Sequence, residues 1–274
     1  MAISEKIELL GKGLYAGTGI PDTLTLSNIP TASELEYVGS EDFEGTMLSK
    51  ILPQAIEENI DARDLLEIDF QWICRCLRIL NYGPYHTTNA IFCGKCGKTS
   101  YGEYSVNLNT IDCKPLPPNF KNDIVISKDE FLDYNEDIHV KLPTIQAVLN
   151  AHKDKAFQTP TGEVNRELAR MCYMISSIGT HDKLTPLEIK MELTTKLSDA
   201  DYRILKDVVT DLTDYGLRAG GRCACPKCGN QEAAFLALVD DRFFRPTLGD
   251  LRKWKDDRRK RDTQDVSGSK KATV

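Results

Sequence analysis

Two near-copies of one pentapeptide, Cys93-Gly-Lys-Cys96-Gly and Cys225-Pro-Lys-Cys228-Gly, stand in this 274-residue chain with 128 residues between Cys96 and Cys225. A Cys-x-x-Cys turn brings two thiolates to about 2.3 Å from one ion without strain, and two such turns complete a tetrahedral zinc site. Each pair is followed by glycine, Gly97 and Gly229, which suits the left-handed turn that points backbone N–H groups at the sulfurs. Four thiolates around a divalent ion leave two net negative charges, and Lys95, Lys98, Lys227 and Arg222 are placed to offset them. The pattern therefore predicts one structural zinc held by Cys93, Cys96, Cys225 and Cys228.

The separation of the pairs constrains the fold further. A compact ribbon has about 15–20 residues between its knuckles, so one ion joining these pairs requires a ribbon with a subdomain inserted into it. Loop closure penalties grow only logarithmically with length, and such an insertion is tolerable if the inserted piece folds by itself. The residues leave two alternatives open. Each pair is a tight turn with buried thiols, or Cys223 takes the place of Cys225 within Cys223-Ala-Cys225.

The remaining cysteines read differently. Nine in all, an odd number, is sparse for a disulfide scaffold of this length and points to a reducing compartment. Cys74 and Cys76 sit two apart on an expected helix, and Cys172 lies in an apolar helical run, so core packing is their role. The chain holds 35 Lys+Arg against 41 Asp+Glu, a net charge of -6, which weighs against a nucleic-acid coating role for the whole protein. With 41% hydrophobic and 28% charged residues it has the makeup of a globular protein with a core. No run approaches the roughly 18 apolar residues of a membrane span, and MAISEKIELLGKGLYAG lacks the apolar stretch of a secretory signal. A soluble, cytoplasmic product is expected.

Five segments follow, giving an α+β fold. Residues 1–60, with scattered Gly, Pro, Ser and Thr, read as an extended N-terminal arm or peripheral layer that gains order on a partner, with a short helix at 47–58. Residues 61–115 hold a core-facing helix over 61–82, stopped by Gly83-Pro84, and a hairpin with Cys93 and Cys96 at its tip. Residues 116–218 form the inserted, mostly α-helical subdomain: strands at 124–126 and 138–142, then helices at 144–152, 165–177, 185–197 and 198–216. Residues 219–248 return with the second knuckle and a strand. Residues 249–274, with 9 Lys+Arg and 5 Asp+Glu, form a polar basic tail expected to be disordered, and leave the remainder a charge of -10.

No catalytic set emerges from the residues. His86, His139, His152 and His181 are dispersed, and GKGLYAGTG lacks the Gly-Lys-Ser/Thr ending of a phosphate loop. The cluster KWKDDRRKR at 253–261 offers cations and Trp254 to a nucleic acid, but Asp256 and Asp257 interrupt it, and a solvated helix end is the plainer reading.

The order of features carries a resemblance. An Asp61-Ala62-Arg63-Asp64-Leu65-Leu66-x-x-Asp69 helix is followed by Leu77-Arg78-Ile79-Leu80-Asn81-Tyr82-Gly83, the first knuckle and its strand, an α-rich insert, the second knuckle, and Phe243-Phe244. Over residues 55–246 this pattern resembles the baseplate protein family of T-even-type contractile-tailed bacteriophages, a group of hub and hub-assembly proteins. The resemblance implies a non-enzymatic role, either as a part of the baseplate hub or as a factor that helps the hub form before the tail tube and sheath are laid down. It implies other hub and tail proteins as partners, no small-molecule substrate and no membrane. It also implies a place in the host cytoplasm during assembly and, for a permanent component, in the virion tail. The competing reading is a zinc-ribbon nucleic-acid-binding protein.

Overall fold

The computed structural model describes residues 4–30, 42–231, 233–236 and 243–269. It is a mixed α/β fold with three antiparallel sheets among the described residues. The central sheet has five strands in the order β4-β3-β10-β9-β5, built from β3 (Tyr85–Cys93), β4 (Lys98–Asn107), β5 (Ile111–Lys114), β9 (Gly216–Cys223) and β10 (Ala233–Leu236). Its two hairpins lie side by side because β10 pairs with β3, Ala234 facing Phe92 and Phe235 facing Ile91. That pairing brings together turns far apart in sequence.

Between β5 and β9 the chain leaves the sheet and returns to it. Lys114 pairs with Gly216 and Cys113 with Leu217, so the ends of the excursion are adjacent strands, tied also by an ion pair of Lys114 Nζ with Asp214 at 3.0 Å. The excursion holds a three-stranded sheet, β6 (Ile124–Ile126), β7 (Ile138–Val140) and β8 (Ile175–Ile178), and four helices. These are α4 (Ile145–Lys153), α5 (Arg166–Met174), α6 (Pro186–Lys196) and α7 (Asp199–Thr213). The helix expected over 165–177 ends at Met174, and β8 follows it. Ile175 and Ile178 are buried against β7, and the β-branched pair favours the pleat once a neighbouring strand is present.

The start of α7 shows how the insert is knit. Ser198 caps it by accepting from Asp201 N–H, and the fully buried Asp201 carboxylate accepts from the backbone N–H groups of Leu132, Asp133 and Tyr134. Burial opposes the ionised form of Asp201, but these donors outweigh it and hold the carboxyl below its ordinary range.

Helix α3 (Glu67–Tyr82) joins the parts. Its buried face presents Ile68, Phe70, Ile73, Cys74 and Leu77 to the core, and its N-terminus docks on the insert, Glu67 N–H donating to the Pro143 carbonyl and Ile145 N–H to the Leu65 carbonyl. The run from Asp61 is not helical throughout. Residues 62–64 form a 3-10 turn capped by Asp61, and Leu66 is extended.

Residues 4–30 are not an extended arm. They form a hairpin of β1 (Ser4–Glu8) and β2 (Thr23–Ser27) whose Ile7, Leu9, Leu24 and Leu26 are buried in the common core. The period-2 alternation is short and separated by Thr and Ser, which makes it read as polar in sequence. The decisive tie is Asp69 of α3, which accepts from Leu10 N–H at 2.6 Å, Gly11 N–H at 3.2 Å and Tyr15 Oη at 2.6 Å. The short helix expected at 47–58 begins earlier, as α1 (Phe43–Thr46), a π turn (Met47–Ile51) and α2 (Leu52–Ala55). Residues 1–3 and 31–41 of the expected arm lie outside the described residues.

The basic tail differs from expectation too. Helix α8 runs Leu248–Ser269, and residues 270–274 lie outside the described residues. Composition shows charge but not anchorage. Thr247 and Asp250 form a reciprocal cap, Lys253 Nζ lies 4.1 Å above the Tyr85 ring, Tyr85 Oη donates to Asp257, and the half-buried Trp254 packs on Gly83 so closely that a Cβ there would collide with its ring. Gly83, with φ 79°, thus serves both the C-cap of α3 and this contact.

Behind Gly83 lies Arg78, fully buried, whose guanidinium donates to the carbonyls of Phe243 (2.7 Å), Gly83 (2.8 Å) and Tyr85 (2.7 Å). Exchange of Arg78 for methionine keeps the stem and orphans three acceptors, each costing about 1–3 kcal/mol if left unpaired. Arg78→Met is expected to lose on the order of 3 kcal/mol or more, read as a lower urea midpoint. An unchanged midpoint would show that water replaces the guanidinium.

Candidate metal centre

The first knuckle is the turn between β3 and β4, with Cys93 as the last residue of β3. The second is the turn between β9 and β10. Because β3 and β10 are neighbours, both turns emerge at the same end of the sheet. Gly97 (φ 64°) and Gly229 (φ 68°) adopt the left-handed conformation that closes each turn. The second is further held by Cys225 N–H to the Asn230 carbonyl at 2.7 Å and Gly229 N–H to the Cys225 carbonyl at 2.9 Å.

The sulfurs of Cys93, Cys96, Cys225 and Cys228 all lie within 4.8 Å of one another. Cys93 and Cys228 are 3.6 Å apart and Cys96 and Cys225 4.0 Å. Both distances far exceed the roughly 2.05 Å of a disulfide. They bracket the edge of about 3.8 Å that a tetrahedron with 2.3 Å metal–sulfur bonds would have. The four cysteines can hold a metal ion, and their sulfur-only chemistry is compatible with zinc. Among the described residues they are the one group of three or more His, Cys, Asp or Glu side chains so disposed. Cys223, two residues before Cys225, is not in the group.

The surroundings favour thiolates. The backbone N–H of Cys96, aided by the side chains of Asn230, Cys228 and Cys96 and opposed by burial, brings the Cys93 thiol down to about 6. The backbone N–H of Lys227 lowers Cys225 in the same way. Cys228 behaves oppositely. The Asn230 N–H favours its thiolate, but burial and the sulfurs of Cys225, Cys93 and Cys96 push it up to about 11. Four sulfurs this close do not all ionise unless a cation sits among them.

The other thiols are of another kind. Burial pushes Cys76 and Cys172 up to about 12 and raises Cys74 further, as expected of cysteines packed in a core. Asn230 was not singled out by sequence, although it follows Cys228-Gly229 directly. Its Nδ2 donates to Cys93 Sγ at 3.6 Å, a contact that orients a ligand from outside the first ring of atoms. Of the four cations expected to offset the thiolates, Lys227 reaches the Thr99 carbonyl at 3.2 Å, and Lys95 and Lys98 are exposed around the turns. The Arg222 side chain lies outside the described residues.

The histidines have separate partners. His86 lies against Phe243 with ring centroids 5.5 Å apart and the planes tilted by 52°, His139 faces Asp123 at 3.2 Å, and burial lowers the pKa of His152. Among the described residues no helix is long and apolar enough to cross a membrane.

The fold and the cluster therefore define a mixed α/β protein with a four-cysteine metal-binding geometry. No protein-family model, curated protein or solved structure matches the chain.

Freshly purified, reduced protein is expected to contain about one zinc per chain by elemental analysis. Exchange of Cys93, Cys96, Cys225 or Cys228 for Ser should remove it and strongly destabilise the fold, whereas Cys223→Ser should keep it. Stoichiometric zinc lost in Cys223→Ser but kept in Cys225→Ser would reverse the assignment.

Proposed function

We propose that the chain is a non-enzymatic component of a contractile-tailed phage baseplate hub, or a factor that assembles that hub, with its two hairpins clipped by a structural zinc. The observation that carries this reading is that the separated residues on which the resemblance rests meet at one joint. Arg78 of the Leu77–Gly83 run donates to the carbonyls of Gly83 and Phe243, and Phe243 and Phe244 pack edge to face at 5.4 Å. The Arg63-Asp64 turn leads directly into the helix that bears Arg78.

In this reading the zinc contributes rigidity. Structural zinc binding is worth about 10–16 kcal/mol in zinc-finger peptides. The sites of contact with hub proteins are then surface features of the insert. Leu187 and Met191 lie one turn apart on α6, 47% and 59% exposed, and Leu132 is 72% exposed. Exposed apolar groups of this size on one helix face suit a protein partner rather than solvent.

The test is co-expression with the hub proteins of the same phage. The double variant Leu187→Glu, Met191→Glu should lose co-purification with them while zinc content and melting temperature stay unchanged. Mass spectrometry of purified particles beside assembly intermediates then separates a virion component from an assembly factor. Absence of the chain from both pools would reject the baseplate reading.

A further inference from the structure

The four sulfurs of the cluster are not equally accessible. Cys93 and Cys225 are buried, Cys96 is half-buried and Cys228 is exposed. The approaches at 3.6 Å, Cys93 to Cys228, and at 4.0 Å, Cys96 to Cys225, each join one knuckle to the other. To form a disulfide of about 2.05 Å, the first pair has to close by only about 1.5 Å. The pairing of β10 with β3 already holds the two hairpins side by side, so that closure is a movement of side chains at the tips. Asn230 Nδ2, donating to Cys93 Sγ at 3.6 Å, steadies the buried sulfur that the exposed one would meet.

The other thiols are shielded or isolated. Cys74, Cys76 and Cys172 are buried in the core, and Cys113 and Cys223 are half-buried on β5 and β9, outside the cluster. An oxidant arriving from solvent therefore meets Cys228 first, with a second sulfur directly behind it. Chain separation decides which pairing lasts. Cys93 and Cys228 are 135 positions apart and Cys96 and Cys225 129, whereas the two cysteines of a knuckle are separated by a single turn. A bond that closes a long loop restricts the unfolded chain far more than one that closes a turn. Once disulfides can exchange, pairing across the hairpins outlasts pairing within a knuckle.

We infer that the cluster is a site of reversible oxidation by peroxide, which joins Cys93 to Cys228 and then Cys96 to Cys225, so that disulfides replace the metal as the clip between the hairpins. In the first step the Cys228 sulfur attacks one oxygen of hydrogen peroxide. The O–O bond breaks, hydroxide leaves and takes a proton to become water, and Cys228 carries an S–OH group. The Cys93 sulfur then attacks the Cys228 sulfur and expels that hydroxide, which becomes the second water. Two thiolates have lost two electrons, peroxide has gained them, and two protons have come from solution. The two sulfurs left over no longer make a four-coordinate site, and the ion is released. The inference rests on the zinc clip of the proposed function and on none of its partners.

The experiment is titration of the zinc-loaded full chain with hydrogen peroxide, following zinc release with a chromogenic chelator, the loss of free thiols, and the disulfides by mass spectrometry of unreduced peptides. Zinc should leave as the first two thiols disappear, and the Cys93–Cys228 peptide pair should appear before Cys96–Cys225. Dithiothreitol and zinc should restore the starting protein. Before oxidation a strong chelator should lower the melting temperature, and afterwards it should have no effect, because the clip is then covalent. Cys223→Ser and Cys113→Ser should leave zinc release and pairing unchanged, and neither removes a member of the cluster. Disulfides confined to Cys93–Cys96 and Cys225–Cys228 would overturn the inference. So would a bond to Cys223, oxidation to sulfinic acid without a disulfide, or zinc retained at peroxide levels that oxidise free cysteine in the same buffer. Elemental analysis of the starting protein keeps the two readings apart. A chain purified without zinc fails the zinc clip and the metal-release step together, whereas pairing within the knuckles of a zinc-loaded chain defeats this inference alone.

Discussion

A single buried cation organises the centre of this molecule. The Arg78 guanidinium is shut off from solvent, and its donors go to three backbone carbonyls: one at the end of α3, one at the start of β3 and one at Phe243, beyond the second knuckle. A buried arginine is tolerable only when its donors are satisfied, because desolvating its charge costs several kcal/mol. The three carbonyls are therefore not free to drift. The turn at Gly83, the direction in which β3 departs, and the return of the chain after β10 are all set by the same planar group. From that fixed start the first hairpin runs to its tip, where Cys93 faces the second hairpin.

The cysteines divide by environment rather than by sequence neighbourhood. Cys74, Cys76 and Cys172 are surrounded by apolar side chains and stay protonated, while Cys93 and Cys225 receive backbone N–H groups from their own turns. Cys223 is only two residues from a member of the cluster, yet it belongs to the strand, paired with Ala233. The difference between a ligand-like thiol and a packing thiol is thus one of turn geometry.

Much of this was legible in the sequence, and for a physical reason. Thiolate chemistry fixes the spacing of the two knuckles, so their turns and their meeting could be read directly. Helices α3 and α7 carried long apolar stripes. What escaped depended on partners elsewhere in the chain. The β1–β2 hairpin relies on Asp69, some sixty residues away, to satisfy Leu10, Gly11 and Tyr15. Strand β8 is four residues long and continues the helical pattern of Met171 and Met174, so only its neighbour β7 makes it a strand. Helix α8 did have a readable start in Thr247 and Asp250, but its charge count concealed the anchoring of Lys253, Trp254 and Asp257 on the first hairpin.

The excursion between β5 and β9 also imposes a schedule on biosynthesis. At about 5–20 residues per second, a ribosome that has released Cys96 needs roughly 6 to 26 seconds to deliver Cys225. During that interval the first hairpin exists as a half-site, two thiols without their partners, with one long edge of β3 still unpaired. The insert, whose helices and sheet contact mostly one another, can fold in the meantime. Its folding draws Lys114 and Gly216 together, so that the last step closes a short gap instead of a long one. The order of residues along the chain thus makes completion of the four-cysteine cluster a late event, and one that a folded middle makes easier.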